Sequence, residues 1–231
     1  LSTWVYPENR REGYHDFAVS GPMMVFMDSL FGDYPFAKLA SVQSTTRYGG
    51  MENASNIFYN ENGVTGQRHN ERIVAHEIVH QWFGNSASER DWPHLWLSEG
   101  FATYGAHLYY ERFYGEKAFQ AGLREDREKI FDAVLMRPVV DSTQTDLMQL
   151  LNVNSYQKGS WVLHMLRQQV GDEAFFEGLR TYYDRYRLRN VTTADFRAVM
   201  EEVSGGELKP FFAQWLYRPD NAKVTGTWQY R

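Results

Sequence analysis

The segment His76-Glu-Ile-Val-His80, followed by Glu99 after eighteen intervening residues, constrains this chain more than any other feature of its sequence. On an α-helix with about 3.6 residues per turn, histidines four positions apart lie on one face, so both imidazoles can reach one ion. Glu77 then lies beside them, free to act on a water at that ion. The pattern predicts a helix at the floor of a cleft and a second helix that carries Glu99.

A five-residue pattern with three fixed positions also arises by chance. The residues around it must therefore distinguish a chance match from a real metal site. Apolar, helix-compatible residues flank the motif on both sides, and Gly84 can stop the helix. The chain has no cysteine, so any zinc must be held by nitrogen and oxygen ligands. His76, His80 and Glu99 supply three of these and leave a fourth position for water, which is typical of a catalytic zinc site.

The overall composition excludes several other classes of protein. With 231 residues and 43% hydrophobic content, the chain can bury a core as one large domain or two lobes. Its 24 basic and 29 acidic residues give a net charge of -5 without a basic run, so we expect no nucleic-acid partner. No run of about 18 apolar residues occurs, so we expect no membrane span. The sequence leaves the compartment open.

Hydrophobic spacing predicts a mixed α/β lobe with a β-sheet over residues 1–114, a helical lobe over 115–219, and the start of a strand or linker over 220–231. The predicted helices are 16–30 with a break near Ser20, 71–83, 95–114, 116–135, 155–170, 172–186, 193–203 and 207–217. Strands are predicted at 38–45 and 56–60. We expect the cleft where the two lobes meet.

Three more motifs stand in order around the histidines: Gly49-Gly50-Met51-Glu52-Asn53, Trp96-Leu-Ser-Glu-Gly-Phe-Ala102, and Ser155-Tyr156-Gln157-Lys158-Gly159. With them the chain resembles the aminopeptidase N family of gluzincin metallopeptidases over nearly its whole length. The resemblance implies an α+β, thermolysin-like metallopeptidase catalytic domain spanning 1–231. It also implies flanking domains that are missing here, so we expect a catalytic-domain fragment.

The resemblance implies one Zn²⁺ per chain, held by His76, His80 and Glu99. Glu77 would take a proton from the attacking water and pass it to the leaving amine. Tyr156 would hydrogen-bond the oxyanion of the tetrahedral species, a role that rests on the motif alone. The predicted function is therefore that of a zinc-dependent aminopeptidase, a hydrolase and exopeptidase that cleaves the N-terminal peptide bond.

Glu52 is the residue that would make the enzyme an exopeptidase. A fixed carboxylate at the end of the cleft can pair with the free α-amino group of a peptide substrate. The backbone of Gly49, Gly50 and Met51 would lie along the substrate, and Asn53 is assigned to the same substrate-binding segment. Within this segment Gly50 departs from the family, since alanine is commoner there.

Two other functions remain open from the residues. An endopeptidase or bifunctional hydrolase would use the same chemistry, although Glu52 argues against it. A non-catalytic peptide-binding module is the other alternative, although the joint presence of the predicted ligands, Glu77 and Tyr156 argues against that. A further departure, Ser98 where asparagine is usual, is expected to alter the setting of Glu99.

Overall fold

The computed structural model describes residues 1–133, 136–219 and 225–229. Its main sheet contains β1 (Ser2–Trp4), β2 (Ala40–Ser44), β3 (Gly50–Met51) and β4 (Asn56–Asn60), arranged in the order β1-β2-β4-β3. The first, second and fourth strands are parallel, and β3 runs antiparallel to β4. Strand β3 therefore lies at an edge of the sheet.

Helices make up most of the remaining structure. They are α1 (Arg10–Phe17), α2 (Ser20–Phe31), α3 (Glu71–Val79), α4 (Trp96–Tyr114), α5 (Glu116–Asp132), α6 (Gly159–Val170), α7 (Asp172–Tyr186), α8 (Thr193–Ser204) and α9 (Lys209–Leu216). A second, parallel sheet pairs β5 (Ala87–Glu89) with β6 (Arg189–Val191). Because β5 and β6 come from opposite sides of residue 115, this small sheet ties together the two parts that the sequence separates.

Helix α4 is the centre of the core. Fourteen of its residues, from Trp96 to Tyr109, are buried, so this part of the helix is enclosed by other elements on all sides. It packs against α3, α5 and α6. At the contact with α6, a Cβ on Gly100 would lie 3.0 Å from the backbone of Gly159, so only glycine permits this close approach.

One buried apolar cluster runs through both predicted lobes, from α2 and α3 to α7 and α8. The segment 115–219 is helical for most of its described length, as predicted, and it also contains the short strand β6 at residues 189–191, which the sequence did not predict. These residues pair with β5 and are not free to continue α7. The α+β class itself is confirmed, and the placing of the lobe boundary at 114/115 stays a prediction.

The zinc-motif helix is shorter than predicted. The sequence predicts 71–83, but α3 ends at Val79 and His80 is the residue that follows it. The His80 carbonyl oxygen accepts from the Asn85 N–H at 3.0 Å, which turns the chain toward β5. Gly84 has φ +119° in this turn, a backbone conformation that favours glycine.

The predicted helix 16–30 is two helices, α1 and α2, with the break at residues 18 and 19. Pro22 falls in the first turn of α2, where a missing N–H costs no helical hydrogen bond. The strands predicted at 38–45 and 56–60 are found as β2 and β4, with the first trimmed at both ends. Helices 172–186 and 193–203 are found as α7 and α8.

The predicted helix 155–170 begins with a π-helical turn, Asn154–Lys158, before α6 starts at Gly159. In this turn the Lys158 N–H donates to the Val153 carbonyl oxygen at 2.9 Å, five residues earlier. A π turn inserts one extra residue into a helix and is often found at functional sites. Hydrophobic spacing does not distinguish it from an α-helix.

At the chain's far end, α9 spans Lys209–Leu216 within the predicted 207–217. Helix α5 ends at Asp132, and the last two predicted residues of that helix, 134 and 135, lie outside the described residues. Of the predicted strand in 220–231, residues 225–229 are exposed and irregular, and the rest lies outside the described part. None of the described helices combines the length and the apolar character needed to cross a membrane.

Candidate metal centre and active-site cleft

Three donor atoms converge where α3 packs on α4. The Nε2 atoms of His76 and His80 are 3.0 Å apart. Glu99 Oε2 lies 3.1 Å from the first of them and 3.2 Å from the second. The two histidines stand one helical turn apart, and Glu99 is in the first turn of α4. The predicted ligand set is thus brought together by the contact between these two helices.

This donor set fits a zinc ion. Tetrahedral zinc with bonds of about 2.0–2.1 Å holds its ligand atoms about 3.3 Å apart. The three separations of 3.0, 3.1 and 3.2 Å are close to that value. His80 is 1% exposed and Glu99 is 6% exposed, so the donors are shielded from competing water.

Contacts at Nδ1 fix the orientation of the His80 ring. Its Nδ1 atom donates to the carbonyl oxygen of Phe83 at 3.2 Å and also lies 3.1 Å from Ser98 Oγ. A histidine that donates through one ring nitrogen keeps a lone pair on the other, here Nε2, for a metal. The departure at Ser98 places a hydroxyl against His80, and an effect on the first substrate pocket or on the setting of Glu99 stays a prediction.

Tyr156 lies in the π-helical turn and reaches the same cluster. Its hydroxyl donates to Glu99 Oε1 at 2.8 Å, and its ring is parallel to that of His76 within 10°, with centroids 5.9 Å apart. The π turn packs against α4, which carries Glu99. This position follows from the extra residue in the turn, which the spacing of the sequence does not reveal.

Glu77 is buried beside the donors, on the side that faces β3. Its Oε2 atom is enclosed and has no hydrogen-bond partner among the described residues. Burial raises the pKa of this carboxyl to about 8. The carboxylate lies so close to Gly50 that any Cβ there would overlap it. Glycine at this position therefore leaves room for the Glu77 side chain.

The β3 segment forms one wall of the cleft. Gly49, Gly50, Met51 and Glu52 all line it. The Glu52 carbonyl oxygen accepts from Gln81 Nε2 at 3.0 Å and from the side-chain amide of Asn85, which fixes this wall to the segment after α3.

Asn53 is the one predicted site residue that the structure does not bring to the cleft. It is exposed, and its carbonyl oxygen accepts from the Asn56 N–H at 2.9 Å in the turn before β4.

The cleft has a volume of about 620 Å³ and contains the candidate zinc ligands, Glu77 and Tyr156. A larger hollow, of about 900 Å³, lies between β1 and α1, and no histidine or carboxylate lines it. Among the described residues, the candidate metal ligands and proton-transfer groups therefore line the smaller cavity.

The polar residues of the cleft to which the sequence analysis assigned no role include His107, Asp126 and Glu89. His107 Nε2 donates to Asp126 Oδ2 at 2.6 Å, and both are buried where α4 meets α5. Glu89, at the end of β5, also lines the cleft. None of them has a motif spacing to the histidines, so only the packing of distant elements identifies them.

The charges of the site act strongly on one another. Burial opposes ionisation of Glu99, yet His80 and His76 hold its pKa well below the usual range. Burial also opposes charge on His80, yet Glu99 and Glu52 raise its pKa to about 10. Burial lowers the pKa of His76. Burial and then Glu99 raise the pKa of Tyr156, so its hydroxyl remains a proton donor.

Comparison with known proteins supports the same interpretation of the motifs. The family model described as the peptidase family M1 domain matches residues 17–215. This chain belongs to peptidase family M1. The predicted resemblance to the aminopeptidase N family is confirmed, since aminopeptidase N of Lactococcus lactis subsp. lactis is 30% identical over 189 residues, covering 74% of this chain and 22% of that protein. Zinc is the cofactor that M1 membership implies.

Other M1 relatives match at similar levels. Aminopeptidase M1-A of Oryza sativa subsp. japonica is 31% identical over 208 residues, which cover 84% of this chain and 24% of the rice protein. Glutamyl aminopeptidase of Sus scrofa is 29% identical over 234 residues, covering 93% of this chain and 25% of the pig protein. The chain therefore spans about a quarter of the length of these curated relatives.

Solved structures agree on the fold. An M1 zinc metallopeptidase mutant from Deinococcus radiodurans, bound to a Tyr-Ser-Ala substrate, is 27% identical with a TM-score of 0.76, covering 88% of this chain and 45% of that one. Native yeast LTA4 hydrolase gives a TM-score of 0.88 at 20% identity, covering 97% of this chain and 39% of that one. Because the sequence identity is low, this second similarity shows only that the fold is shared.

Proposed function

We propose that this M1 chain is the catalytic unit of a zinc-dependent aminopeptidase that hydrolyses the N-terminal peptide bond of peptides. One observation carries the proposal. A single cleft holds three converging zinc donors, a buried Glu77 beside them, and Glu52 on the adjoining wall. The first two features support metal-assisted hydrolysis, and the third supports recognition of a free amino terminus. The substrates and partners of the whole protein are part of this proposal.

Glu77 is the proposed general base and then general acid. Zinc, when bound by His76, His80 and Glu99, supplies Lewis acidity that makes water nucleophilic near neutral pH. Glu77 accepts the proton that the water loses on attack and delivers it to the leaving amine. Its buried Oε2 atom has no hydrogen-bond partner among the described residues, so it is free to accept this proton and to release it again.

Tyr156 is the proposed donor to the developing oxyanion. Its hydroxyl donates to Glu99 Oε1, and the same hydroxyl would donate to the substrate carbonyl oxygen as that oxygen becomes negative. A hydrogen bond that strengthens as charge develops stabilises the transition state more than the bound substrate. The raised pKa of Tyr156 keeps the proton on the phenol.

Glu52 is the proposed anchor for the substrate's α-amino group. Its place directly after β3 puts a carboxylate next to the edge strand, whose outer backbone groups can pair with an extended peptide. The backbone of Gly49, Gly50 and Met51 would then hold the first residues of the substrate. A charge-assisted pair at the amino group fixes cleavage one residue from the end.

The test compares aminoacyl chromogenic substrates with their N-acetylated forms, using the zinc-loaded chain and its Glu77→Gln variant. We expect turnover of the free forms only, and a loss of at least about 100-fold in kcat for the variant with zinc content unchanged. Equal cleavage of free and acetylated substrates would rule out the exopeptidase assignment. A fully active Glu77→Gln chain would remove Glu77 from the mechanism.

A further inference from the structure

Glu89 is a carboxylate of the cleft that the proposed reaction does not use. It is the last residue of β5 and lines the same cavity as the zinc donors. Its Oε2 atom is enclosed and has no hydrogen-bond partner among the described residues. A buried carboxyl oxygen without a partner calls for an explanation, and a bound cation is one that proteins commonly use.

Glu89 and Glu52 both line the cleft, and hydrogen bonds tie the segment before Glu89 to the backbone of Glu52. The Glu52 carbonyl oxygen is held by the side chains of Gln81 and Asn85, and these residues belong to the segment that leads from α3 into β5. Burial raises the pKa of Glu89 to about 7, and the charges of Glu99 and then Glu52 add to the increase. The hydrogen bonds through Gln81 and Asn85 therefore connect the wall that carries Glu52 to the strand that carries Glu89.

Apolar surface lies next to Glu89. Trp92, three residues further along the chain, is 41% exposed and lines the cleft. Its turn, Trp92–His94, packs against the turn Leu147–Leu150, which brings Met148 to the same wall. An aromatic face and an apolar wall ending at a carboxylate suit a side chain with a methylene stem and a cationic head.

Two basic side chains line the cleft, Lys129 on α5 and Arg72 on α3, and both lie beside Glu125. Lys129 Nζ lies 2.6 Å from Glu125 Oε1, and Arg72 Nη1 lies 3.7 Å from Glu125 Oε2. Within the described part of the chain, neither arginine nor lysine forms an ion pair with Glu89 or with Glu52. The walls of the cleft at β3 and β5 thus carry two carboxylates that no basic side chain of the described protein neutralises.

We propose that Glu89 makes the first substrate pocket selective for a cationic residue, arginine or lysine, at the amino terminus of the peptide. This inference rests on the proposed aminopeptidase function. Such a substrate carries two positive charges at its first residue. Glu52 binds the α-amino group, and Glu89 binds the guanidinium or ammonium group. A glutamate or aspartate at that position would meet two carboxylates and be disfavoured.

The decisive comparison uses arginine and citrulline, which share a shape but differ by one charge. We expect the zinc-loaded wild-type chain to hydrolyse the arginyl 7-amido-4-methylcoumarin substrate with a kcat/KM about 10 to 100 times that of the citrullyl one. In Glu89→Gln the ratio should fall to near one, through loss of the arginyl rate. Glu128→Gln, which removes an exposed charge on α5, should keep the wild-type ratio.

Binding provides a second readout that does not need turnover. Isothermal titration with L-argininamide and L-citrullinamide should show the same preference in the wild type and its loss in Glu89→Gln. Equal handling of the two compounds by the wild type, or an equal loss of both in the variant, would overturn the role of Glu89. Hydrolysis of leucyl but not arginyl substrates would overturn it too, while leaving the aminopeptidase function intact. If no substrate is hydrolysed, the proposed function fails, and the binding arm alone decides the selectivity.

Discussion

The carboxylate of Glu77 occupies the space that a Cβ atom at Gly50 would fill. This relationship joins α3 to β3 directly behind the zinc donors. It gives a physical reason for the glycine at position 50, where alanine is commoner in the family. In this chain the glycine lets the proposed base lie against the edge strand.

Replacing Gly50 by alanine should therefore displace Glu77 without removing any catalytic group. A misplacement of about 1 Å can cost on the order of 100-fold in rate, so we expect kcat to fall by about 10 to 100 times while zinc content is unchanged. Steady-state kinetics with metal analysis would measure both. Gly21→Ala, on α2, is the matched control, because its Cβ would lie 3.7 Å from the Leu1 side chain, an ordinary van der Waals distance. A wild-type kcat in Gly50→Ala would show that the position of Glu77 does not depend on this glycine.

Tyr156→Phe should affect the rate and spare the metal. The phenol that it removes donates to Glu99 Oε1 at 2.8 Å, and the ring that it keeps still stacks on His76. Loss of one oxyanion donor costs about 3 to 4 kcal/mol, so we expect kcat to fall on the order of 100 to 1,000 times. KM and zinc stoichiometry should change little. If the variant instead lost zinc, the hydroxyl would be needed mainly to hold Glu99.

Glu99→Ala should abolish stable metal binding. Only two imidazoles remain, and a catalytic zinc site normally has three protein ligands. The protein is dialysed against a chelator and then into metal-free buffer, and one equivalent of zinc is added. We then expect about one zinc per wild-type chain and less than about 0.1 per variant chain. Inductively coupled plasma mass spectrometry would measure this. Glu128→Ala, on the exposed face of α5, should bind like the wild type. Full zinc occupancy in Glu99→Ala would mean that another carboxylate serves as the ligand.

Acid stability should depend on Asp141, which is 3% exposed. Its Oδ1 accepts from the Thr143 hydroxyl at 2.6 Å and from the Thr143 N–H at 2.9 Å, and its Oδ2 accepts from Arg137 Nη1 at 3.1 Å. These donors, Thr143 first, hold the pKa of Asp141 below its ordinary value.

Because the folded pKa is depressed, the ionised form stabilises the fold above the unfolded value of about 3.9, and this contribution is lost as pH falls through the folded pKa. We expect Asp141→Asn to lower the free energy of unfolding by about 1–3 kcal/mol at pH 7. The difference from wild type should shrink below about pH 4. Urea unfolding at several pH values would measure it. A difference that stays constant down to pH 3 would contradict the role of the ionised carboxylate.

Tertiary packing also explains why some predictions from sequence were wrong. The end of α3 at Val79 depends on the Asn85 N–H, which bonds the His80 carbonyl oxygen. The π turn at 154–158 and the pairing of β5 with β6 depend on contacts between segments that are distant along the chain. Such contacts have no local periodicity, so hydrophobic spacing alone assigns these residues to longer helices or to loops.

The four ordered motifs identify the family from the amino-acid sequence, and with it the α+β class. Helix geometry pairs His76 with His80, because it places residues four positions apart on one face. The meeting of Glu99 with these histidines is visible only in the folded chain, since that contact requires α4 to pack on α3 and to approach α6 at Gly100. The fold also left Asn53 outside the cleft and placed Glu89 in its lining together with Glu52. Those positions follow from burying apolar faces of distant elements together, which no spacing along the chain encodes.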